Sequence, residues 1–393
     1  ADWIVGINGT RLFSTLYHKK LVVGRVQTPT LAMLVERDGK ITTCRKKKYF
    51  NVHTQKNGLK AALEKIKTED EAKRIAEIAE IAEDCDKKQA SVSSLKKERK
   101  AVKPPNLYDL TTLQREANCY FSFTAQQTLD LVQSLYEKKL LTYPRTDSQF
   151  ITDDIEGTVR LVISILCRKL PLFDGVAYTP DIDHISNNTK VTDHHAIFPT
   201  VQVEKLDIAK LPESEQKILR LVATRLICAT GEKHIYDETT PSVSCEGSLF
   251  TAKGKNVVQD GGKNLAVVQG NTQKQGKEEP EAVLPEVTEG DILQNAVSSV
   301  SEHFTSPPKA FIEYTLLSAM ESTGNKTFDD KTEKKGMGTP ATHAGIIEKL
   351  VKEDKSAERG SKSSIMDRLK AAKSEPKKDK PTPHKEPKKD REL

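Results

Sequence analysis

A multidomain chain of mixed α and β structure is predicted by three observations. Stretches with helical spacing of apolar residues alternate with strand-like stretches along the 393 residues, a length that at roughly 150 residues per domain gives about two or three domains. A helix, a short turn, a second helix and a β-like piece stand in the middle, the outline of a winged helix. Residues 354–393 are rich in Lys and Pro and almost devoid of large apolar groups, a composition that cannot bury enough surface to offset chain entropy and that predicts a disordered tail.

In chain order, residues 3–36 read as helical, with Leu31, Leu34 and Val35 at helical spacing and a polar loop, Gly24-Arg25-Val26-Gln27-Thr28-Pro29, between. Residues 49–55 alternate like a strand. A helix follows, opened by a capping box of Thr68 and Glu71 and carrying Ile75, Ile78, Ala79 and Ala82 on one face. Residues 91–103 are Lys-rich and partly alternating, an exposed strand or linker ended by Pro104-Pro105. Residues 108–120 carry Leu110, Leu113 and Ala117 on one helical face. Thr124 with Gln127 then makes a second capping box before the stripe Leu129, Val132 and Leu135. Leu140 to Ser148 is the β-like piece. Helices are predicted over 159–170, 213–230 and 309–323, and from Gly336 through Leu350. The stretch 174–199 is mostly loop, and 236–300 turns strand-like with a Gly- and Lys-rich excursion at 253–280. The short piece Ile365 to Leu369 is amphipathic enough for a transient helix.

Composition excludes several classes. Hydrophobic residues make up 36% and charged residues 30%, lean and rich respectively for a compact globule. The longest apolar run falls well short of the ~18 residues a membrane helix needs, and the first residues lack the pattern of a signal peptide. The six cysteines are scattered with no Cys-x-x-Cys pair, which excludes a zinc ribbon and fits reduced thiols. A soluble intracellular protein is expected. Of the net charge of +6, the tail carries most, with 13 Lys+Arg against 8 Asp+Glu in residues 354–393. Net charge therefore says little about nucleic-acid binding by the folded part, and a mixed-charge tail is explained by solubility as readily as by a loose nucleic-acid contact.

Two short motifs suggest chemistry. A phenol with a pKa near 10 is a poor nucleophile unless cations stabilise its anion. Arg145 follows Tyr143 by two residues, so in an extended segment it projects to the same side. A guanidinium there is suited to holding a phosphate bidentately, and the pair reads as a phosphotransfer site. An ordinary strand tyrosine with an Arg beside it has the same spacing. His194-His195 offers a donor to a phosphate oxygen or an acid to a leaving oxygen, although a loop His bonded to backbone is the plainer reading. Neighbouring histidines point opposite ways in a strand and suit a shared metal poorly. The loops Gly24 to Pro29 and Gly336-Met337-Gly338-Thr339-Pro340 stand at helix starts, where backbone amides meet phosphates. Neither ends in the Gly-Lys-Ser/Thr of a P-loop.

Taken together, five stretches resemble the type IA DNA topoisomerases, and within them the bacterial topoisomerase III branch. They are Ala1 to Asn8 running on to Gly24 through Pro29; Lys103 to Leu110 with Leu113-Gln114-Arg115-Glu116-Ala117-Asn118; Leu141-Thr142-Tyr143-Pro144-Arg145-Thr146-Asp147-Ser148; Asp193-His194-His195-Ala196-Ile197 with Pro199-Thr200; and Gly336 to Thr342 with Ile346 to Leu350. The resemblance spans about residues 1–352. It implies that Tyr143 attacks a single-strand DNA phosphodiester to give a 5′-phosphotyrosyl bond, that Arg145 steadies the phosphate and that His194 is the active-site histidine. It further implies that Arg25, Gln27, Thr28, Asp147, Ser148, Thr339 and Thr342 contact the single strand. The fold it implies is a torus. A base is formed by residues 1–48 and 301–353, a β-rich arch by 49–105 and 235–300, and a helical, winged-helix-like domain with the tyrosine by 106–234, followed by the disordered tail 354–393.

The departures from that pattern set further expectations. Such proteins begin with a TOPRIM domain whose acidic residues bind Mg²⁺, whereas this sequence begins where that domain would end and contains no Asp-x-Asp-x-Glu. The tail looks unrelated, His343 stands where Arg is frequent, and Ile312 and Tyr314 interrupt a stretch that usually reads Phe-Thr-Glu-Gly. The chain thus reads as a topoisomerase with both ends removed. Its partners would be single-stranded DNA and a separate TOPRIM-containing chain carrying the Mg²⁺ ligands, and its place the cytoplasm, at the nucleoid. The alternative is a non-catalytic module that binds single-stranded DNA. A relaxase-like nuclease needs a spaced histidine cluster that His194-His195 does not provide.

Overall fold

The computed structural model describes residues 2–56, 59–63, 90–169, 179–191, 193–245, 248–259, 261, 285, 287–293, 297–323 and 336–357. The predicted helix with its cap at Thr68 and Glu71, the tail from 358 onward and the piece at Ile365 lie outside the described residues.

Three bodies of structure follow from the hydrophobic pattern. The largest is helical: α3 (Leu110–Phe121), α4 (Ala125–Glu137), α5 (Glu156–Lys169) and α6 (Glu213–Ala229). The stripes Leu110, Leu113, Ala117 and Leu129, Val132, Leu135 are buried in one cluster with Val162, Leu166, Ile218, Val222 and Leu226. Helix α3 starts at Leu110 because the Asp109 carboxylate accepts the Thr112 N–H, at 2.6 Å, as N-cap. Helix α4 starts on the predicted capping box of Thr124 and Gln127. The turn between them is fastened by side-chain amides: Gln114 Nε2 donates to the Ala125 carbonyl at 3.0 Å and Asn118 Nδ2 to that of Phe123 at 2.8 Å. Tyr108, fully buried, donates its hydroxyl to Glu116, which also receives Arg225, and the Arg225 guanidinium lies 4.2 Å from the Tyr108 ring centroid. Burial pushes the Tyr108 phenol well above its ordinary value, so it stays protonated as a donor.

The second body is an eight-stranded, wholly antiparallel sheet. Its strands are β1 (Lys48–Lys56), β2 (Leu59–Leu63), β3 (Ala90–Val102), β4 (His234–Cys245), β5 (Ser248–Thr251), β6 (Gly254–Gln259), β7 (Ile292–Leu293) and β8 (Val297–Phe304). The order is β7-β3-β4-β5-β2-β1-β8, with β6 also on β4. Val92, Val243, Phe250, Leu59 and Ala61 are buried at its centre. Beyond Leu95 the β3–β4 ladder continues to Val102 opposite His234, and on its exposed part Arg99 stands directly opposite Asp237 and is paired to it at 2.8 Å. Residues 91–102 are thus the exposed strand the sequence allowed, not a linker, flanked by β4 along their length and by β7 only at Ala90 and Ser91, and β6 lies inside what the sequence suggested was an excursion.

The third body gathers both ends of the described chain. Helix α2 (Gln27–Thr42), α7 (Glu313–Ser322) and α8 (Pro340–Ala357) share a core of Val26, Leu34, Phe311, Leu316, Leu317, Met320, Ala344 and Ile347. Leu31 and Val35 are exposed, unlike the expected stripe, and α2 begins inside the expected loop. Pro29 is tolerated there because the first helical turn has no intrahelical donors to lose. Helix α8 also continues past Leu350. Ala125, the first residue of α4, is buried in this core too, so α4 ties the helical body to it. Helix α1 (Asp2–Leu16) is apolar on most of its circumference; Trp3, Ile4, Val5, Leu12, Phe13 and Leu16 are exposed.

Candidate active site

Helix α4 ends by a left-handed residue. Lys139 has φ +61°, its N–H donates to the Tyr136 carbonyl at 2.7 Å and that of Leu140 to the Leu135 carbonyl at 2.9 Å. This reversal aims residues 140–143 across the helical body, where a second segment, 196–200, meets them. The Thr200 N–H donates to Leu140 at 2.9 Å, the Thr142 N–H to Phe198 at 3.0 Å, and Leu141 bridges Pro199. Thr142 adds two bonds of its own, donating its hydroxyl to the Ala196 carbonyl at 2.9 Å and accepting from the Phe198 N–H at 3.0 Å. A little further on, Thr146 donates its hydroxyl to the His194 carbonyl at 3.1 Å.

These ties put Tyr143 beside His194. Their ring centroids are 4.2 Å apart with a tilt of 42°. Tyr136, from the last turn of α4, meets Tyr143 edge-to-face, with centroids 5.5 Å apart at 81°. Tyr143 and His195 are half-buried, whereas Arg145 and His194 are exposed. The β-like piece forms only the single bridge at Leu141, and the chain bends at Pro144 and Arg145. The extended geometry that would have put Arg145 on the same side as Tyr143 is therefore absent. Asp147 is exposed. Ser148 departs from the expectation of a strand contact: it is 4% exposed and donates to the Lys190 carbonyl at 3.1 Å, so it fastens the loop.

The other expected residues form a second group. Gly338, at φ +74°, comes so close to Val26 that a Cβ there would lie 2.9 Å from its Cγ2, and this contact joins the two Gly-led loops. Arg25, Thr28, Thr339 and Thr342 are exposed around it, and Gln27 accepts from Lys349 at 3.0 Å. The Thr339 amide is satisfied by the Thr342 hydroxyl at 3.1 Å, and the Thr28 hydroxyl accepts the Gly24 amide at 3.0 Å. His343 is buried just behind, with Nε2 2.5 Å from the Met337 carbonyl and Nδ1 without a partner among the described residues; burial lowers its pKa. Helix α4 spans from Ala125 in this core to Tyr136 at the tyrosine, about 16 Å at 1.5 Å per residue.

Sequence reasoning missed Tyr136 and Thr142. Thr142 stood inside a recognised motif and only its long-range partners reveal its role. Tyr136 carries no local signal, because its neighbour is reached through the reversal at Lys139. Among the described residues no three His, Cys, Asp or Glu side chains converge to hold a cation, so the groups around Tyr143 do not by themselves fit Mg²⁺.

Comparison with known proteins gives the kinship of the chain. The family model described as DNA topoisomerase matches residues 1–366. The chain is 38% identical over 373 residues to DNA topoisomerase 3 of Bacillus licheniformis, covering 89% of this chain and 49% of that protein. With DNA topoisomerase 3 of Bacillus subtilis it shares 36% over 373 residues, covering 89% and 50%. The chain thus spans about half the length of these relatives. Full-length topoisomerase I from Thermotoga maritima has the same fold at a TM-score of 0.66, with 24% identity over 90% of this chain and 55% of that one. No described helix is long and apolar enough to cross a membrane. The family match over nearly the whole folded region, with the helical body, sheet and paired ends all present, shows that the chain belongs to the type IA DNA topoisomerases and is of the topoisomerase III kind.

Proposed function

We propose that this chain carries the cleavage tyrosine and part of the single-strand DNA path of a type IA topoisomerase. The contact of Tyr143 with His194 carries the reading. In the proposed step the Tyr143 oxygen bonds to phosphorus as its proton departs. The P–O3′ bond breaks, the 3′ oxygen leaves as a hydroxyl, and the 5′ phosphate stays on the tyrosine; religation reverses each event. His194, exposed beside the ring, is placed to hold a phosphate oxygen or to protonate the leaving one. Arg145, exposed two residues further on, would reach the same phosphate. Arg25, Gln27, Thr28, Thr339 and Thr342 would line the strand's path where the two Gly-led loops meet, with Asp147 nearer the tyrosine.

The division into base, arch and tyrosine domain at the boundaries given above is part of the same proposal, as are relaxation or decatenation by the whole protein and a cytoplasmic, nucleoid-associated place. Mg²⁺ ligands would come from a TOPRIM domain, on the same polypeptide or another. The exposed apolar circumference of α1 supports the need for such a covering body.

The test is a covalent adduct on labelled single-stranded DNA with Mg²⁺, with and without a supplied TOPRIM domain. The adduct is expected from the native chain and not from Tyr143→Phe, with binding nearly equal in the two. An equal adduct from Tyr143→Phe refutes the assignment. Salt-sensitive binding with no adduct under either condition points instead to a non-catalytic DNA-binding module.

A further inference from the structure

We propose that Tyr136 is a positioning residue for the nucleophile, holding the Tyr143 ring against His194. This rests on the reading of Tyr143 as the attacking group. Among the described residues no group hydrogen-bonds the Tyr143 hydroxyl, so the direction of the phenol is set by ring contacts. The two contacts are His194 at 4.2 Å between centroids and Tyr136 at 5.5 Å, nearly perpendicular. The Tyr136 end is firm. Its own carbonyl accepts the Lys139 N–H at 2.7 Å, and Leu135 beside it is fully buried. The Tyr143 backbone is equally fixed through Thr142. What the backbone leaves open is rotation about the side-chain torsions, and an aromatic neighbour at right angles removes that freedom. A ring that swings away from His194 loses the aligned approach a phosphoryl transfer requires. Tyr136 is 38% exposed and its own hydroxyl has no partner among the described residues, so the ring, not the hydroxyl, is the working part.

The test compares Tyr136→Phe and Tyr136→Leu in the full chain. Single-turnover adduct formation on single-stranded DNA should fall about two- to tenfold in Tyr136→Leu, the range an edge-to-face pair supports. Tyr136→Phe should keep the native rate, and both variants should bind the DNA with unchanged Kd. If Tyr136→Phe is as slow as Tyr136→Leu, or if Kd weakens in step with the rate, Tyr136 acts through its hydroxyl or as a DNA contact and the inference fails. Aromatic NMR supplies a readout that needs no activity. The Tyr143 ring signals, assigned by their loss in Tyr143→Phe, should shift and broaden in Tyr136→Leu and stay in place in Tyr136→Phe. Unmoved signals in Tyr136→Leu overturn the contact itself, whereas an adduct that survives Tyr143→Phe overturns the nucleophile.

Discussion

Thr142→Val is the sharpest probe of how the tyrosine is held. The substitution keeps the shape of the side chain and removes a hydroxyl that makes two bonds, to the Ala196 carbonyl at 2.9 Å and from the Phe198 N–H at 3.0 Å. At a net ~0.5–1.5 kcal/mol each, the loss is about 1–3 kcal/mol. The methyl group that replaces the hydroxyl offsets up to roughly 0.8 kcal/mol by burial, which leaves about 1.2 kcal/mol at the middle of that range. With a urea m-value of about 2 kcal/mol/M, the unfolding midpoint should fall by roughly 0.6 M. Thr142→Ser keeps both bonds and should unfold close to the native chain. Since the same bonds seat Tyr143 beside His194, adduct formation should slow in Thr142→Val and recover in Thr142→Ser. Equal midpoints for Val, Ser and the native chain would refute the claim that this hydroxyl fastens the two segments.

Two further predictions concern the frame. Lys139 occupies the left-handed region at φ +61° at the end of α4, where a side chain costs about 1 kcal/mol and glycine little; Lys139→Gly should raise stability by about 0.5–1 kcal/mol in urea unfolding, and a loss would contradict the cap. His343 has its pKa lowered by burial, so the unfolded chain takes up its proton near pH 6.5 before the folded one does. Its contribution to stability should be present above about pH 6.5 and shrink as the pH falls toward the lowered folded value, and His343→Gln should flatten that part of a melting-temperature profile between pH 5 and 8.

Much of the helical body was legible because local chemistry and burial agree there. The capping box at Thr124 and the stripes on α3 and α4 are short-range patterns, and each apolar position they single out is buried. The α2 stripe misled, since Leu31 and Val35 repeat at helical spacing yet face outward. The sheet was legible in part as strands, with β2 at Leu59–Leu63 unforeseen, and not at all as an order. Strand β1 pairs with β8, Tyr49 opposite His303, across a sequence separation that no local pattern encodes. The site divides the same way. Tyr143 and His194 were recognisable from their motifs, but Arg145 was assigned to the tyrosine's side on the assumption of an extended strand that the bend at Pro144 breaks. Ser148 was expected to contact the single strand and is instead buried with its hydroxyl donated to a backbone carbonyl.

The most direct measurement is to trap the chain on single-stranded DNA with Mg²⁺ and a TOPRIM domain supplied, digest the adduct, and identify the modified residue and the free DNA end. The account predicts a phosphate on the Tyr143 peptide joined to the 5′ side of the break, with a free 3′ hydroxyl. A phosphate on any other residue, or a tyrosine joined to a 3′ phosphate, would contradict it.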